Sequence, residues 1–184
     1  MTKASDLARF GAVQSGQVIE SISSPCDGSS ITVRSGSYTF ENVTAVQNAT
    51  TTFTDLTGSS FTYTPPSIAT RVVYEFNWHE SYVDTYGVGH HKFLIDSDEV
   101  TNARFNCRGT FWGHPTRFRW IINIGGVADA DDGRVASWTS NKTLKLQLRE
   151  FGSGNEVKAH ATEGYDGGAT DVFSMPTLSI TAIK

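Results

Sequence analysis

The chain of 184 residues has the length of one domain that can bury a sizeable hydrophobic core. Hydrophobic residues make up 38% of it and charged residues only 18%, so Ser, Thr, Asn and Gly must cover much of the surface. The net charge of −4 argues against a nucleic-acid-binding protein, which needs a basic face. No apolar run approaches the roughly 20 residues that cross a bilayer. We therefore expect neither nucleic acid nor a membrane as a partner.

The first 16 residues lack the alternating pattern that follows them, and they lack the apolar centre of a secretory signal. Ser5 can cap a single helical turn, but one turn is too short to be stable alone. Residues 1–16 are therefore either a disordered tail or an arm that becomes ordered on a partner. In the second case Leu7 and Phe10, three residues apart, are its predicted docking anchors.

Short segments with period-two alternation begin at residue 17, and such segments are typical of β-strands. A pair of prolines ends the first group of segments, since proline cannot donate to a strand ladder. The predicted strands of this group are 18–23, 31–33, 38–46, 50–56 and 60–63.

The central stretch predicts a three-stranded meander. Residues 71–83 are rich in Val, Tyr, Phe and Trp, which favour a pleated, half-buried surface. A turn-forming segment at 84–87 then leads into a predicted strand at 89–96, and a third strand follows at 100–105. We therefore expect these three strands to pair in sequence order within one antiparallel sheet.

Further strands are predicted at 117–124, 141–151, 156–163 and 178–183. About ten strands without a helix of any length predict an all-β domain over residues 17–184, an antiparallel β-sandwich or jelly roll. Alternation places a set of large apolar side chains in its core: Phe118, Trp120, Trp138, Leu144, Leu146 and Leu148. Because the strands are polar and Thr-rich, this core is modest, and we expect a homotrimer that buries more surface between subunits.

Three histidines are weak candidates for a metal site. Adjacent strand residues point to opposite faces, so His90 and His91 cannot both bind one ion without a bulge. His79 and one of that pair converge only if the meander forms a hairpin there. Ordinary polar strand residues are the simpler interpretation, so we predict no metal and no cofactor.

An enzyme is not favoured by the motifs. Glu75, Glu80 and Asp84 are conceivable paired carboxylates for glycoside hydrolysis, but their spacing does not determine their separation. The chain has no nucleophile elbow, phosphate-binding glycine loop or zinc-protease motif. A glycan-degrading enzyme is therefore the least favoured of the functions considered.

Aromatic residues in predicted loops are better candidates for a binding surface, since such rings stack on sugars or pack against a partner protein. The candidates are Tyr82, Tyr86, Phe111, Trp112, His114 and Tyr165. The alternative is that most of these side chains fill the rim of a small barrel.

Seven short blocks spread over the β domain carry a resemblance to a known family. They are SGSYT at 35–39, NVT at 42–44, FTYTPP at 61–66, KFLID at 92–96, EVT at 99–101, IGGVAD at 124–129 and ASWTSNKTLK at 136–145. Through them the chain resembles virion structural proteins of marine tailed bacteriophages, such as those infecting cyanobacteria. The segment KASDLARF at 3–10 also resembles the opening of other phage structural proteins.

The resemblance implies a decoration or fibre-type β domain on the phage head or tail, with no catalytic residues to transfer. Such a protein is made in the host cytoplasm and resides on the virion, with capsid, portal or tail proteins as partners. The alternative function within this class is a tail module that binds a saccharide on the host surface.

Overall fold

The computed structural model describes residues 13–82, 87–109, 113–167 and 171–184, and all regular elements in these ranges are β-strands. In chain order the strands are β1 (Val18–Pro25), β2 (Ser30–Val33), β3 (Gly36–Thr39), β4 (Gln47–Asn48), β5 (Thr54–Asp55), β6 (Phe61–Tyr63), β7 (Arg71–Tyr82), β8 (Gly87–Ile95), β9 (Asp98–Gly109), β10 (His114–Asn123), β11 (Lys142–Glu150), β12 (Val157–Ala159), β13 (Ala161–Glu163), β14 (Asp171–Phe173) and β15 (Thr177–Ile183).

Two antiparallel sheets form the body of the fold. In the six-stranded sheet β7 pairs with β10, β12 and β15, while β1 and β4 extend it beyond β15 and β12. In the five-stranded sheet β11 pairs with β5, β6 and β8, and β9 pairs with β8. The predicted all-β, antiparallel sandwich is therefore confirmed. The strand number exceeds ten because six of the strands are only two or three residues long.

The core lies between the two sheets and is aromatic at its centre. The Tyr74 ring lies 5.0 Å from that of Phe93, and the Phe118 ring lies 5.2 Å from Phe93, so the six-stranded sheet contacts the five-stranded one there. Leu144, Leu146 and Leu148 are completely buried, and Phe118 and Trp138 are nearly so, as predicted. Trp120 is only partly buried, since it packs at the rim of the core, where its Nε1 donates to the carbonyl of Asp132 at 3.2 Å.

The predicted meander is correct for one of its two pairings. β8 and β9 form an antiparallel pair, with a bulge between His91 and Phe93. β7, however, belongs to the other sheet, so the chain changes sheets between Tyr82 and Gly87 instead of forming a hairpin. Tyr74 of β7 and Phe93 of β8 are in ring contact across the core, so β7 faces β8 instead of pairing with it.

Residues 13–17 lie beside the C-terminal strand. The Lys184 ammonium donates to the carbonyl of Val13 at 2.7 Å, and the Lys184 amide donates to the carbonyl of Gln17 at 3.0 Å. The predicted anchors Leu7 and Phe10 lie outside the described residues, so the docking arm stays a prediction.

Replacing Leu146 by Ala is expected to lower the free energy of unfolding by about 2–5 kcal/mol, because the change leaves a cavity in a fully buried position. Denaturant unfolding of both proteins measures this loss. Val127→Ala is a suitable control, since Val127 is 87% exposed and its truncation should change stability by no more than about 0.5 kcal/mol. A loss below about 1 kcal/mol for Leu146→Ala would contradict the central position of β11.

Candidate functional site: a basic, aromatic groove on the five-stranded sheet

The outer face of the five-stranded sheet carries a row of polar and basic side chains. Because β8 side chains alternate, His90 and Lys92 point outward while His91 points into the core. The strand register sets His90 opposite Arg149 of β11 on one side and opposite Asn106 of β9 on the other. Three strands therefore contribute side chains to one surface.

These side chains surround a groove of about 550 Å³. The outward-facing residues that line it are Phe53, His90, Lys92, Glu99, Arg104, Asn106 and Arg149. Phe53 precedes β5, so the chain brings residues from four separate segments together here.

Phe53 provides an aromatic surface under two cations. The Lys92 ammonium lies 4.5 Å from the centre of the Phe53 ring, and the Arg149 guanidinium carbon lies 5.2 Å from it. Both distances suit cation–π attraction, which holds each charge over the ring face. A further ring extends the aromatic surface, because Phe151 is 62% exposed and lies 5.7 Å from the His90 ring.

The groove is positively charged although the whole chain is acidic. Glu99 is the one carboxylate among the lining residues, and it is bonded to Arg104 at 2.5 Å and lies 3.7 Å from Lys92. The hydrogen bond from Arg104 lowers the pKa of Glu99, so this carboxylate is ionised at neutral pH. Lys92, Arg104 and Arg149 together exceed its charge, which suits an anionic ligand.

Two lining side chains have hydrogen-bonding capacity to offer a ligand. Arg149 is only partly buried, so its guanidinium has donors to offer, although its Nε atom is buried without a partner. Burial, with the Arg149 charge next in importance, lowers the pKa of His90, so its ring is neutral at pH 7 and can donate at one nitrogen and accept at the other. The groove can therefore bind both charged and hydroxyl groups.

The three histidines that were candidates for a metal site lie in three different environments. His79 Nδ1 is 2.9 Å from the Ser174 hydroxyl, His90 lines the groove, and His91 is buried between the sheets. The convergence of His79 with a partner across a hairpin is wrong, because β7 and β8 lie in different sheets and His79 points away from the core.

The predicted aromatic binding surface is wrong at Tyr82. This residue is completely buried, because position 82 lies on the inner face of β7, and its hydroxyl donates to Glu80 Oε1 at 3.1 Å. The half-buried His114 ring stacks on it at 5.6 Å, while Tyr165 is 81% exposed. Tyr86, Phe111 and Trp112 lie outside the described residues.

Beneath the groove, the buried Glu80 and His91 form a polar cluster with the half-buried Cys107. Oε2 of Glu80 is 3.0 Å from Nε2 of His91, and it accepts a hydrogen bond from Trp78 Nε1 at 3.2 Å. Burial, and after it the charge of Glu80, raises the pKa of Cys107 to about 12. Sequence reasoning missed the cluster, although Glu80 and Tyr82 follow Trp78 by two and four residues and period-two alternation puts all three on one face.

The carboxylates weighed for glycoside hydrolysis do not form a pair. Glu75 lies on the outer face of β7 and binds Arg117 at 2.5 Å, whereas Glu80 lies on the inner face. Two carboxylates on opposite faces of a strand cannot flank one glycosidic bond. The third candidate, Asp84, is outside the described residues.

The fold and the groove together define an antiparallel β-sandwich with a basic, aromatic groove on one outer face. A scan against models of protein families and a search of the curated proteins found no match to this chain. In the part of the chain that the structure describes, no helix is long and apolar enough to span a membrane. Both cysteines, Cys26 and Cys107, are free thiols.

Proposed function

We propose that this protein is a structural component of a phage virion, a surface-exposed β domain of the decoration or fibre type without enzymatic activity. The observation that carries the proposal is the resemblance of seven sequence blocks to those of marine phage structural proteins. The antiparallel sandwich is compatible with that role, because one domain of two packed sheets can be displayed on a particle surface. Its partners are then capsid, portal or tail proteins.

Attachment to the particle by the N-terminal arm is part of this proposal. Residues 13–17 are bonded to the C-terminal residue Lys184, beside the edge strand β1, and residues 1–12 precede them.

Sedimentation equilibrium at micromolar concentration is expected to give about three times the 20.1 kDa chain mass. The physical reason is that a domain with polar, Thr-rich strands gains stability by burying further surface between subunits. A stable monomer under these conditions would contradict the homotrimer. The virion role would still be testable by measuring incorporation of the protein into particles.

A second candidate function is recognition of a saccharide on the host surface, and the groove favours it. Phe151 offers an exposed ring for a sugar face. Arg104, together with the two cations held over Phe53, offers charge-assisted hydrogen bonds to acidic groups. The two functions are compatible, since a particle-bound module can also bind the host.

A further inference from the structure

Three potential metal ligands of different chemistry converge between the sheets. A carboxylate oxygen of Glu80, a ring nitrogen of His91 and the sulfur of Cys107 all lie within 4.8 Å of one another. They come from β7, β8 and β9, so they belong to both sheets. The side chains of Glu80 and His91 are completely buried. An ion at their centre would therefore cross-link the two layers.

The buried groups are incompletely satisfied by one another. Glu80 receives hydrogen bonds from Trp78 and Tyr82, which are both uncharged donors. Although His91 Nε2 is 3.0 Å from Glu80, neither ring nitrogen of His91 makes a well-directed hydrogen bond. Buried polar atoms without a partner are rare in proteins, and a bound water or ion would satisfy them. A cation would neutralise the carboxylate and accept the imidazole lone pair.

The surrounding backbone leaves space for this cluster. A Cβ atom at Gly89 would clash with Glu80 Oε1 and would lie 3.1 Å from His91 Cε1. Glycine at this position of β8 therefore allows the carboxylate and the imidazole to approach each other between the sheets.

The ligand chemistry selects the class of ion. Thiolate and imidazole ligands disfavour hard cations such as Mg²⁺ and Ca²⁺, which prefer sets of oxygen ligands. Zinc accepts sulfur, nitrogen and carboxylate oxygen together, at about 2.0–2.3 Å from the ion. The three ligand atoms are close enough that a small movement of each side chain would bring all of them within bonding distance of one ion.

We propose that Glu80, His91 and Cys107 bind one Zn²⁺ ion between the two sheets. As the zinc–sulfur bond forms, the Cys107 thiol releases its proton to solvent. The site differs from the His79–His90–His91 group considered from the sequence, and it is independent of the virion role. Because the ion would link strands of both sheets, binding would stabilise the folded state.

The test is a titration of the chelator-treated, full-length protein with Co²⁺, which reports thiolate ligation by a charge-transfer absorption band. We expect a band that saturates at one ion per chain and disappears when Zn²⁺ is added. Cys107→Ser should abolish the band, and His91→Gln should weaken Co²⁺ binding by about 10-fold or more. The matched control is Cys26→Ser, which removes the other free thiol and should retain the band.

Measurements on the wild-type protein test the proposal even if a variant fails to fold. Zn²⁺ should raise the thermal midpoint of unfolding and slow alkylation of Cys107, located by mass spectrometry, with no change at Cys26. Absence of the cobalt band together with an unshifted midpoint would overturn the proposal. A band that persists in a folded Cys107→Ser protein would overturn it as well.

Discussion

Deleting residues 1–12 is expected to abolish incorporation of the protein into virions while the folded β domain and its oligomer persist. The deletion ends before Val13, so the contacts of residues 13–17 with Lys184 remain. A short segment buries little surface by itself, and it spends its ordering entropy when it docks on a partner. Purified particles, assembled in cells that supply only the truncated protein, should therefore lack it in an immunoblot.

A double substitution tests which arm residues make the contact. Leu7→Ser with Phe10→Ser should reduce incorporation nearly as much as the deletion, because these two side chains are the predicted apolar anchors. The control is Val127→Ser, which removes an exposed apolar side chain from the β domain and should leave incorporation unchanged. Circular dichroism and sedimentation verify that every variant is folded and has the native oligomeric state. Full occupancy by the truncated protein would assign attachment to the β domain instead.

The second large effect is expected in the groove. If the protein binds an acidic host saccharide there, the double variant Lys92→Ala, Arg149→Ala should weaken binding by about 100-fold or more, since each of the two charge-assisted hydrogen bonds contributes roughly 1.5–3 kcal/mol. Phe53→Ala should also weaken it by about 10-fold, because the ring that supports both cations is lost. A glycan array identifies the ligand, and calorimetry then measures the affinities.

This experiment must distinguish the loss of a cation in the groove from the loss of any positive charge on the protein surface. Arg119→Ala is the matched control, because Arg119 is half exposed on the outer face of β10, in the other sheet, and its loss should leave affinity within about twofold. Wild-type binding should weaken at higher salt, as expected for a charged ligand. Equal affinity of the wild type and the double variant would exclude the groove as the binding site. Failure to bind any array saccharide would remove the receptor role and leave the structural role untouched.

The sequence by itself determined the fold class and much of the core. Alternation in 141–151 placed Leu144, Leu146 and Leu148 on one face, and that face is fully buried. Period two is a local property of the extended chain, so neighbouring residues suffice to reveal it. For the same reason the alternation predicted that His90 and His91 point in opposite directions, as they do.

Only the tertiary structure decided which strands pair and which side chains meet. Alternation does not name a strand's partner, because that choice depends on packing between residues far apart in the chain. The turn-like segment after Tyr82 therefore suggested a hairpin, although the chain crosses there to the opposite sheet.

Both sites arise from this long-range choice. Phe53 meets Lys92 and Arg149 because β11 pairs with both β5 and β8. Glu80 meets Cys107 because β7 faces β8 and β9 across the core, where burial forces polar side chains on the inner faces to find partners among themselves.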